Sequence, residues 1–589
     1  MLYTICKDDN PQNTVKKIKK IIENFGLKTE EIFYSYNKTD EEQDSPPLTS
    51  IRVQTVNYPI GGTNGKGTCV ENAKASAYAE YMERLQNLGL GDLYELWTYS
   101  KDFKNASDIV FGGGNKFLNA FFDENVFKKS SKDYKKLEKC IFLPFYNINK
   151  EKTCELPHNV IVFEQGTNGM SAGNTLEEAL VQGLSEVVER YSSKVILNEE
   201  IVLSSVPQEE YLKYENISKS IEFFKENGIN VHIKDASLDG KIPVICTIFE
   251  NKGIICPVFG AHPSLPIAIE RTLTEFVQGR IYSQDLLTAI KEIHLPYFSI
   301  EKFNRSKIED IYQSLTAAKT YFENNKFFDH IFFNENITEK FNKSAWIENK
   351  SGFNNKMLLK FLVEKVSSIS EDIFVRDVSF LGFPSIYIYV PNVSEVKSIS
   401  KNELKKGKLF TKWAVYDSNL KNKRGYTPSS LLNFADNYSS RIMQGNAELF
   451  NVPLEYIAFL CAILLKKTNK VKKYLNVLIA QNKVYEYFSD EQISVFNIIS
   501  EYFYLSKKIK DETFIKKELQ KRWKKVQIRQ AIKVINELTF EEVLSMSIFK
   551  TSKKRKNLNK ISKKLIKCLK EDVPEQIKLR EHLSFLYEE

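Results

Sequence analysis

Eight cysteines are scattered through 589 residues, and no two stand in CxxC spacing. The chain therefore signals neither a zinc knuckle nor an iron–sulfur site. It also lacks the cysteine triad of a radical-SAM centre. Reduced thiols are the simplest account of the scatter, and they fit a cytoplasmic protein. Histidine is scarce, at six residues. His262 follows a turn glycine and is expected to be structural, and no Ser/His/Asp arrangement can be read around it. Long hydrophobic runs are missing. The longest, Tyr456 to Leu465, stops at Lys466-Lys467, at half the length of a membrane span. It is expected to be a buried helix. The opening MLYTICKDDN lacks the basic and apolar regions of a signal peptide.

What is present is 42% apolar and 27% charged residues, the balance of a soluble globular chain. The length suits two or three domains. The net charge of +9 is uneven: residues 501–589 carry 23 Lys and Arg against 13 Asp and Glu, and the rest 61 against 62. Lys553-Lys-Arg-Lys556 and Lys560 to Lys570 form the most basic stretch. It reads as a solvated helix face or as a contact for RNA or the ribosome.

The pattern that carries chemistry is Gly166 to Tyr191, GTNGMSAGNTLEEALVQGLSEVVERY. Its glycine-rich first half is expected to be irregular. Its second half reads as a helix, with Asn174 or Thr175 as N-cap and Glu177 and Glu178 in the first turn. At 3.6 residues per turn, Glu178, Gln182, Glu186 and Glu189 share one face. Such a face either pairs with cations such as Arg190 or pools hard oxygen ligands for magnesium and phosphate. A second copy favours the metal reading. Ser76-Ala-Tyr-Ala-Glu80-Tyr-Met-Glu83-Arg84 repeats the ExxER spacing of Glu186 to Arg190 and follows the glycine-rich Gly61 to Thr68. That first loop is not a Walker A motif, because three residues separate its glycines and Gly67 follows Lys66.

Along the chain, strands are expected at Leu2–Ile5, Ile51–Val56, His158–Glu164, Val231–Asp235, Ile242–Glu250, Gly253–Phe259 and Ser385–Val390. Helices are expected at Thr14–Phe25 and Leu265–Gly279. Lys7 sits in a loop between the first strand and helix, where it is either a ligand contact or a surface lysine. Arg271 and Glu275 stand four apart, the spacing of a local salt bridge. Residues 85–150 are aromatic-rich and irregular, with Phe111-Gly-Gly-Gly114 as a turn cluster, and residues 283–370 are polar and weakly patterned. From about Val415 the strand and glycine signals fade. Short helices follow, for instance Pro453–Lys466, Tyr485–Tyr504 and Ile528–Leu538.

TNGKGTCVENAKASAYAEYMERL and TNGMSAGNTLEEALVQGLSEVVERY together resemble the signature of the YcaO family, and Phe259 to Arg280 resembles its third conserved block. The resemblance runs from about Lys7 to roughly residue 400. The order of elements is closer to the stand-alone, full-length members than to the cyclodehydratases of peptide-toxin clusters. The resemblance implies an α/β (α+β) ATP-binding domain over residues 1–410, followed by an all-α, helical-repeat-like domain over 411–589. It implies ATP and magnesium as cofactors, with Glu80, Glu83, Glu178, Glu186 and Glu189 as metal ligands. Lys7, Asn174, Gln182, Arg190 and Arg271 are the implied nucleotide contacts, with Thr14 and Ser76 as further hydroxyl contacts.

The implied chemistry is ATP-dependent activation of a backbone amide oxygen, with ATP hydrolysed. The end of the chain lacks the proline-rich tail of azoline-forming members, which favours the other function linked to full-length members. That function is an accessory role in methylthiolation of a small-subunit ribosomal protein, beside a radical methylthiotransferase. Left open are a self-sufficient enzyme forming thioamides or azolines, a non-enzymatic helical scaffold on ribosome or RNA, and a homodimer. No membrane partner is expected.

Overall fold

The structure is a computed structural model. It describes residues 7–34, 48–58, 61–88, 142–199, 201–251, 254–278, 341–348, 353–395, 427–439, 448–449, 452–485, 488–545 and positions between 561 and 588. The expected strand Leu2–Ile5, the cluster at 111–114, all of 283–340, the boundary near 410 and Lys553–Lys556 lie outside the described residues.

The first layer is α1 (Pro11–Phe25) packed with β1 (Thr29–Tyr34), β2 (Thr49–Thr55), β3 (Gly62–Gly67) and α2 (Val70–Gln86). The helix α1 starts three residues earlier than its apolar stripe predicts, because Asn10 accepts from the Asn13 N–H and Pro11 opens the first turn. The three strands pair antiparallel in sequence order. The expected glycine loop at 61–68 is therefore a strand. It alternates, with Thr63, Gly65 and Gly67 turned inward and Asn64 and Lys66 on the other face. Gly65 permits this: a Cβ there would lie 2.0 Å from the Ala73 carbonyl and 2.3 Å from the Ala77 nitrogen. The glycine is needed so that α2 can lie against its own strand.

The central sheet joins β4 (Phe142–Asn147), β5 (Lys152–Pro157), β6 (Met170–Ala172), β10 (Phe374–Asp377) and β11 (Ser385–Tyr389) in the order β5-β4-β10-β11-β6. Between β5 and β6 runs α3 (His158–Gln165), where a strand was expected. A short apolar run such as Val160 to Phe163 suits either state. Here β5 already occupies the partner position beside β4, and the run is helical with Ile161 and Val162 in the core. After β6 comes α4 (Leu176–Glu199), which packs with β11 and α7 (Asn355–Ser367). A third sheet, β7 (Asn230–Asp235), β8 (Val244–Asn251) and β9 (Ile254–Ala261), packs against α5 (Glu215–Glu226) and α6 (Leu265–Val277). All strand pairs among the described residues of the three sheets are antiparallel. Of the two forms expected, the α+β one is observed.

The described elements within residues 428–545 are helices apart from the short pair β12 (Glu448–Leu449) and β13 (Val452–Pro453). The helices are α8 (Pro428–Ser439), α9 (Leu454–Leu464), α10 (Thr468–Tyr485), α11 (Asp490–Leu505), α12 (Glu512–Gln520), α13 (Lys525–Glu537) and α14 (Phe540–Ser545). The apolar run of α9 is buried from Tyr456 to Ile463. The helix expected over Tyr485–Tyr504 is two helices, because Ser489 and Gln492 form a capping box that starts α11.

Described residues near the end of the chain join cores other than that of the helical unit. Ile561 and Leu565 join the core of α1 and α2, and Leu579 and Leu583 join the core of α4. The Gln576 side chain accepts from the Asp377 N–H at 2.8 Å and donates to the Asp377 carbonyl at 3.0 Å, pairing with the backbone at the end of β10. Lys564, within the basic stretch, donates to the Phe25 carbonyl at 2.5 Å and stands 4.4 Å over the Phe25 ring. Though exposed, it therefore caps the end of α1. Four apolar side chains and a backbone-pairing glutamine return this segment to the α+β body, a long-range contact that local helical patterning cannot report.

His582, at the end of α15 (Lys578–His582), stands 3.1 Å from Glu177 in the first turn of α4. The bond to Glu177 holds His582 above its ordinary value of 6.5. Burial pulls Glu177 up, but His582 and the Glu177 backbone amide together leave it below 4.5. The Glu177 contribution is complete above its ordinary value and is lost as pH falls through the lowered one. The His582 contribution is complete below 6.5 and is lost as pH rises through the raised one. The pair is thus fully formed between pH 4.5 and 6.5. A melting temperature that falls on raising pH from about 6 to 8 should lose much of that fall in His582→Ala. An unchanged pH profile in the variant would show that the contact contributes nothing.

Candidate nucleotide and metal site

The site is built on one face of α4. Its upper end is fixed by the N-cap: Thr175 Oγ1 accepts from the Glu178 N–H at 3.1 Å. Glu178 is buried and accepts from Lys7 Nζ at 3.0 Å, the Asp8 N–H at 3.0 Å and Asn174 Nδ2 at 3.1 Å. Burial alone would raise its carboxyl, but these donors outweigh it and hold it below its ordinary range. Thr14 Oγ1 donates to Asn174 Oδ1 at 2.8 Å. Lys7, Thr14, Asn174 and Glu178 are thus brought together from residues more than 150 apart in sequence.

Midway along the helix, Arg271 Nη1 of α6 donates to Gln182 Oε1 at 2.5 Å. Glu275 pairs with Lys66 of β3. The pair expected to bridge locally therefore reaches in two directions, Arg271 to α4 and Glu275 to β3. His262 lies close by, buried, its Nδ1 accepting from the Ser264 N–H at 3.0 Å. Burial, with Arg271 and Lys7 adding to it, pushes it well below its ordinary value. It is a neutral, positioned side chain.

At the lower end the two ExxER helices meet. Arg84 lies 3.4 Å from Glu80 and 3.3 Å from Glu83, and Arg190 lies 2.7 Å from Glu186. Burial, reinforced by Glu80 and Glu186, pushes the Glu83 carboxyl up against the pull of Arg84 and Arg190. Burial also raises Glu189, while Arg271, Arg190 and Lys66 oppose it and Glu186 adds to it. Glu83 and Glu186 belong to different helices, so these couplings place the two motifs face to face. Ser76 is half-buried one turn before Glu80.

Glu83 Oε1 and Arg271 Nε are buried without a hydrogen-bond partner. Such atoms are costly unless something not yet present satisfies them. Among the described residues no group of three or more His, Cys, Asp and Glu is gathered for a metal ion; arginines stand between the carboxylates. The face from Glu178 to Glu189 runs about 16 Å along α4 at the helical rise. One ion cannot contact both ends. An extended polyanion carrying divalent metal fits the length, the alternating carboxylates and basic groups, and the two atoms left without a hydrogen bond. Lys66 and Asn64 escaped the sequence reading as site residues. Their signal was the alternation T-N-G-K-G, which puts both on the face opposite the packed glycines. Gln278 donates to the Asn64 carbonyl at 2.5 Å, tying the end of α6 to this strand.

The family model described as YcaO cyclodehydratase, ATP- and Mg2+-binding, matches residues 64–394. The chain belongs to the YcaO family. ATP and magnesium are the cofactors of this family. The chain is 32% identical over 294 residues to the Escherichia coli ribosomal protein S12 methylthiotransferase accessory factor YcaO, across 46% of this chain and 49% of that protein. It is 28% identical over 419 residues to an uncharacterised protein of Haemophilus influenzae, across 67% and 66% of the two chains. The matches thus span about half to two thirds of these relatives. Among solved structures, YcaO from Methanopyrus kandleri bound with AMPPCP and Mg2+ aligns with a TM-score of 0.42 at 17% identity, over 66% of this chain and 92% of that one. A heterocyclase in complex with substrate and cofactor aligns at 0.43 and 16%, over 66% and 53%. Among the described residues no helix is long and apolar enough to cross a membrane.

Proposed function

We propose that this YcaO protein binds Mg-ATP along α4 and serves as an accessory factor in methylthiolation of a small-subunit ribosomal protein. The observation that carries the site is the buried meeting of two ExxER helices, where Glu83 Oε1 faces Arg84 but accepts no hydrogen bond. Glu80, Glu83, Glu186 and Glu189 would hold magnesium at one end and Glu178 at the other. Lys7, Thr14, Ser76, Asn174, Gln182, Arg190 and Arg271 would contact the nucleotide. When bound, ATP supplies a phosphoryl group able to activate a backbone amide oxygen, and it is hydrolysed in the process.

The residues of the chain position and neutralise; none forms a covalent bond in this reading. Arg84 is held protonated by Glu83, Glu80 and Glu186 although burial opposes it. Arg84 and Arg190 can exchange carboxylate partners for phosphate oxygens as the carboxylates turn to metal. Neutral His262 adds no positive charge beside Lys7 and Arg271.

The accessory role is supported by the relative named for it. The test is the mass of the small-subunit ribosomal proteins from cells with and without the gene. The methylthio increment should disappear in the deletion and return with the parent gene but not with Glu189→Gln. A full increment in the deletion strain would overturn the reading. The second reading is a self-sufficient enzyme that forms thioamides or azolines on a peptide, and the cyclodehydratase description of the family favours it. In that case the deletion would leave ribosomal proteins unaltered and abolish a modified peptide.

A further inference from the structure

The helical unit carries a surface that neither its core nor the nucleotide site uses. Residues 507–533 hold 11 Lys and Arg against 3 Asp and Glu. The three acids are engaged locally. Glu512 pairs with Lys516, Glu518 pairs with Lys521, and Asp511 caps α12 by accepting from the Thr513 N–H. Lys524 and Lys525 are exposed and have no acidic partner among the described residues. They stand at the start of α13, where positive charge opposes the helix dipole.

The turn between α12 and α13 is fastened to α11. Arg522 Nη1 and Trp523 Nε1 both donate to the Glu501 carboxylate, at 2.9 and 2.7 Å. Glu501 is one helical turn before Tyr504, so the anchor of the basic turn and that ring share a face of α11. Tyr504 is 54% exposed. Lys508 donates to its hydroxyl at 2.9 Å and stands 4.8 Å from the ring centre. An exposed aromatic ring, with Lys508 at its edge, thus stands one helical turn from the residue that anchors this basic turn.

We propose that this surface binds an unpaired stretch of RNA. Charge complementarity supplies affinity through the phosphates, which would relieve the repulsion among crowded lysines and arginines. Tyr504 offers a stacking platform, which needs a base free of its own stack; loops of folded RNA supply such bases and duplex DNA does not. The surface differs from the basic stretch at 553–570, where Lys564 is committed to α1.

The test uses the full chain and a fluorescein-labelled oligouridine of about twelve nucleotides, within the site sizes of single-strand binders. Binding should weaken steeply between about 50 and 200 mM salt. The triple variant Lys521→Ser, Lys524→Ser, Lys525→Ser should lose at least about tenfold in affinity and lower the salt slope by about 2, at roughly 0.7 per lost phosphate contact. Tyr504→Ala should lose about tenfold with the slope unchanged. Both variants should keep the parent's helical circular dichroism and melting, which shows that the helical unit folds, and should bind Mg-ATP as the parent does, which separates this proposal from the nucleotide site. No binding by the parent, or variants that bind RNA like the parent, would overturn the proposal. So would equal competition by duplex DNA or by polyglutamate.

Discussion

Glu83→Gln and Glu189→Gln should each abolish Mg-ATP binding measured by calorimetry, with a loss of at least about 100-fold, since even residues behind metal ligands cost about 10- to 100-fold when removed. Glutamine keeps the shape and a hydrogen-bonding end, so the packing of α2 against α4 should survive. The charge is what is lost. Glu83 sits between Arg84, Glu80 and Glu186, and Glu189 between Arg271, Arg190 and Lys66. Removing one carboxylate leaves the neighbouring guanidinium under-compensated, which is destabilising in a buried site. For that reason the melting temperature must be measured beside the binding. Loss of binding in a variant that still melts cooperatively assigns the carboxylate to the ligand. Parent-like ATP affinity in both variants would remove the metal site from α2 and α4.

Leu579→Ala combined with Leu583→Ala should melt the α+β body early. Each leucine is almost fully buried against α4. A buried Leu→Ala change costs about 2–5 kcal/mol, a large share of the about 5–15 kcal/mol that holds a typical domain folded. The two leucines stand one turn apart in one core cluster, so their effects will not simply add. ATP affinity should fall as well, because α15 reaches the first turn of α4 through His582 and Glu177, next to Glu178. An independent C-terminal domain predicts the opposite: a weakened helical unit and an unaltered nucleotide site. Chemical denaturation followed by ATP titration tells the two apart.

The sequence was most legible where function and local geometry share a period. The ExxER face of α4 follows from 3.6 residues per turn, and its duplicate in α2 turned an ambiguous acidic stripe into a metal hypothesis. The buried character of α9 followed from ten apolar residues in a row. The sequence misled where a segment had two local solutions. Val160 to Phe163 is as good a strand as a helix, and β5 had already taken the strand position. Gly62 to Gly67 has the composition of a loop, yet it forms a strand because Ala73 and Ala77 must lie against bare backbone.

By itself, then, the sequence determined which residues share a helical face, where glycine permits close approach, and that two matching units exist. The tertiary structure alone decided their partners. Arg271 goes to Gln182 and Glu275 to Lys66, although four-residue spacing offered each to the other. Glu178 is met by Lys7 and Asp8 from the far end of the chain. The C-terminal helix leaves its neighbours in sequence and packs on α4. The physical reason is the same in each case. Periodicity fixes the direction of a side chain relative to its own element, whereas the group it meets depends on which other elements bury their apolar faces against that one.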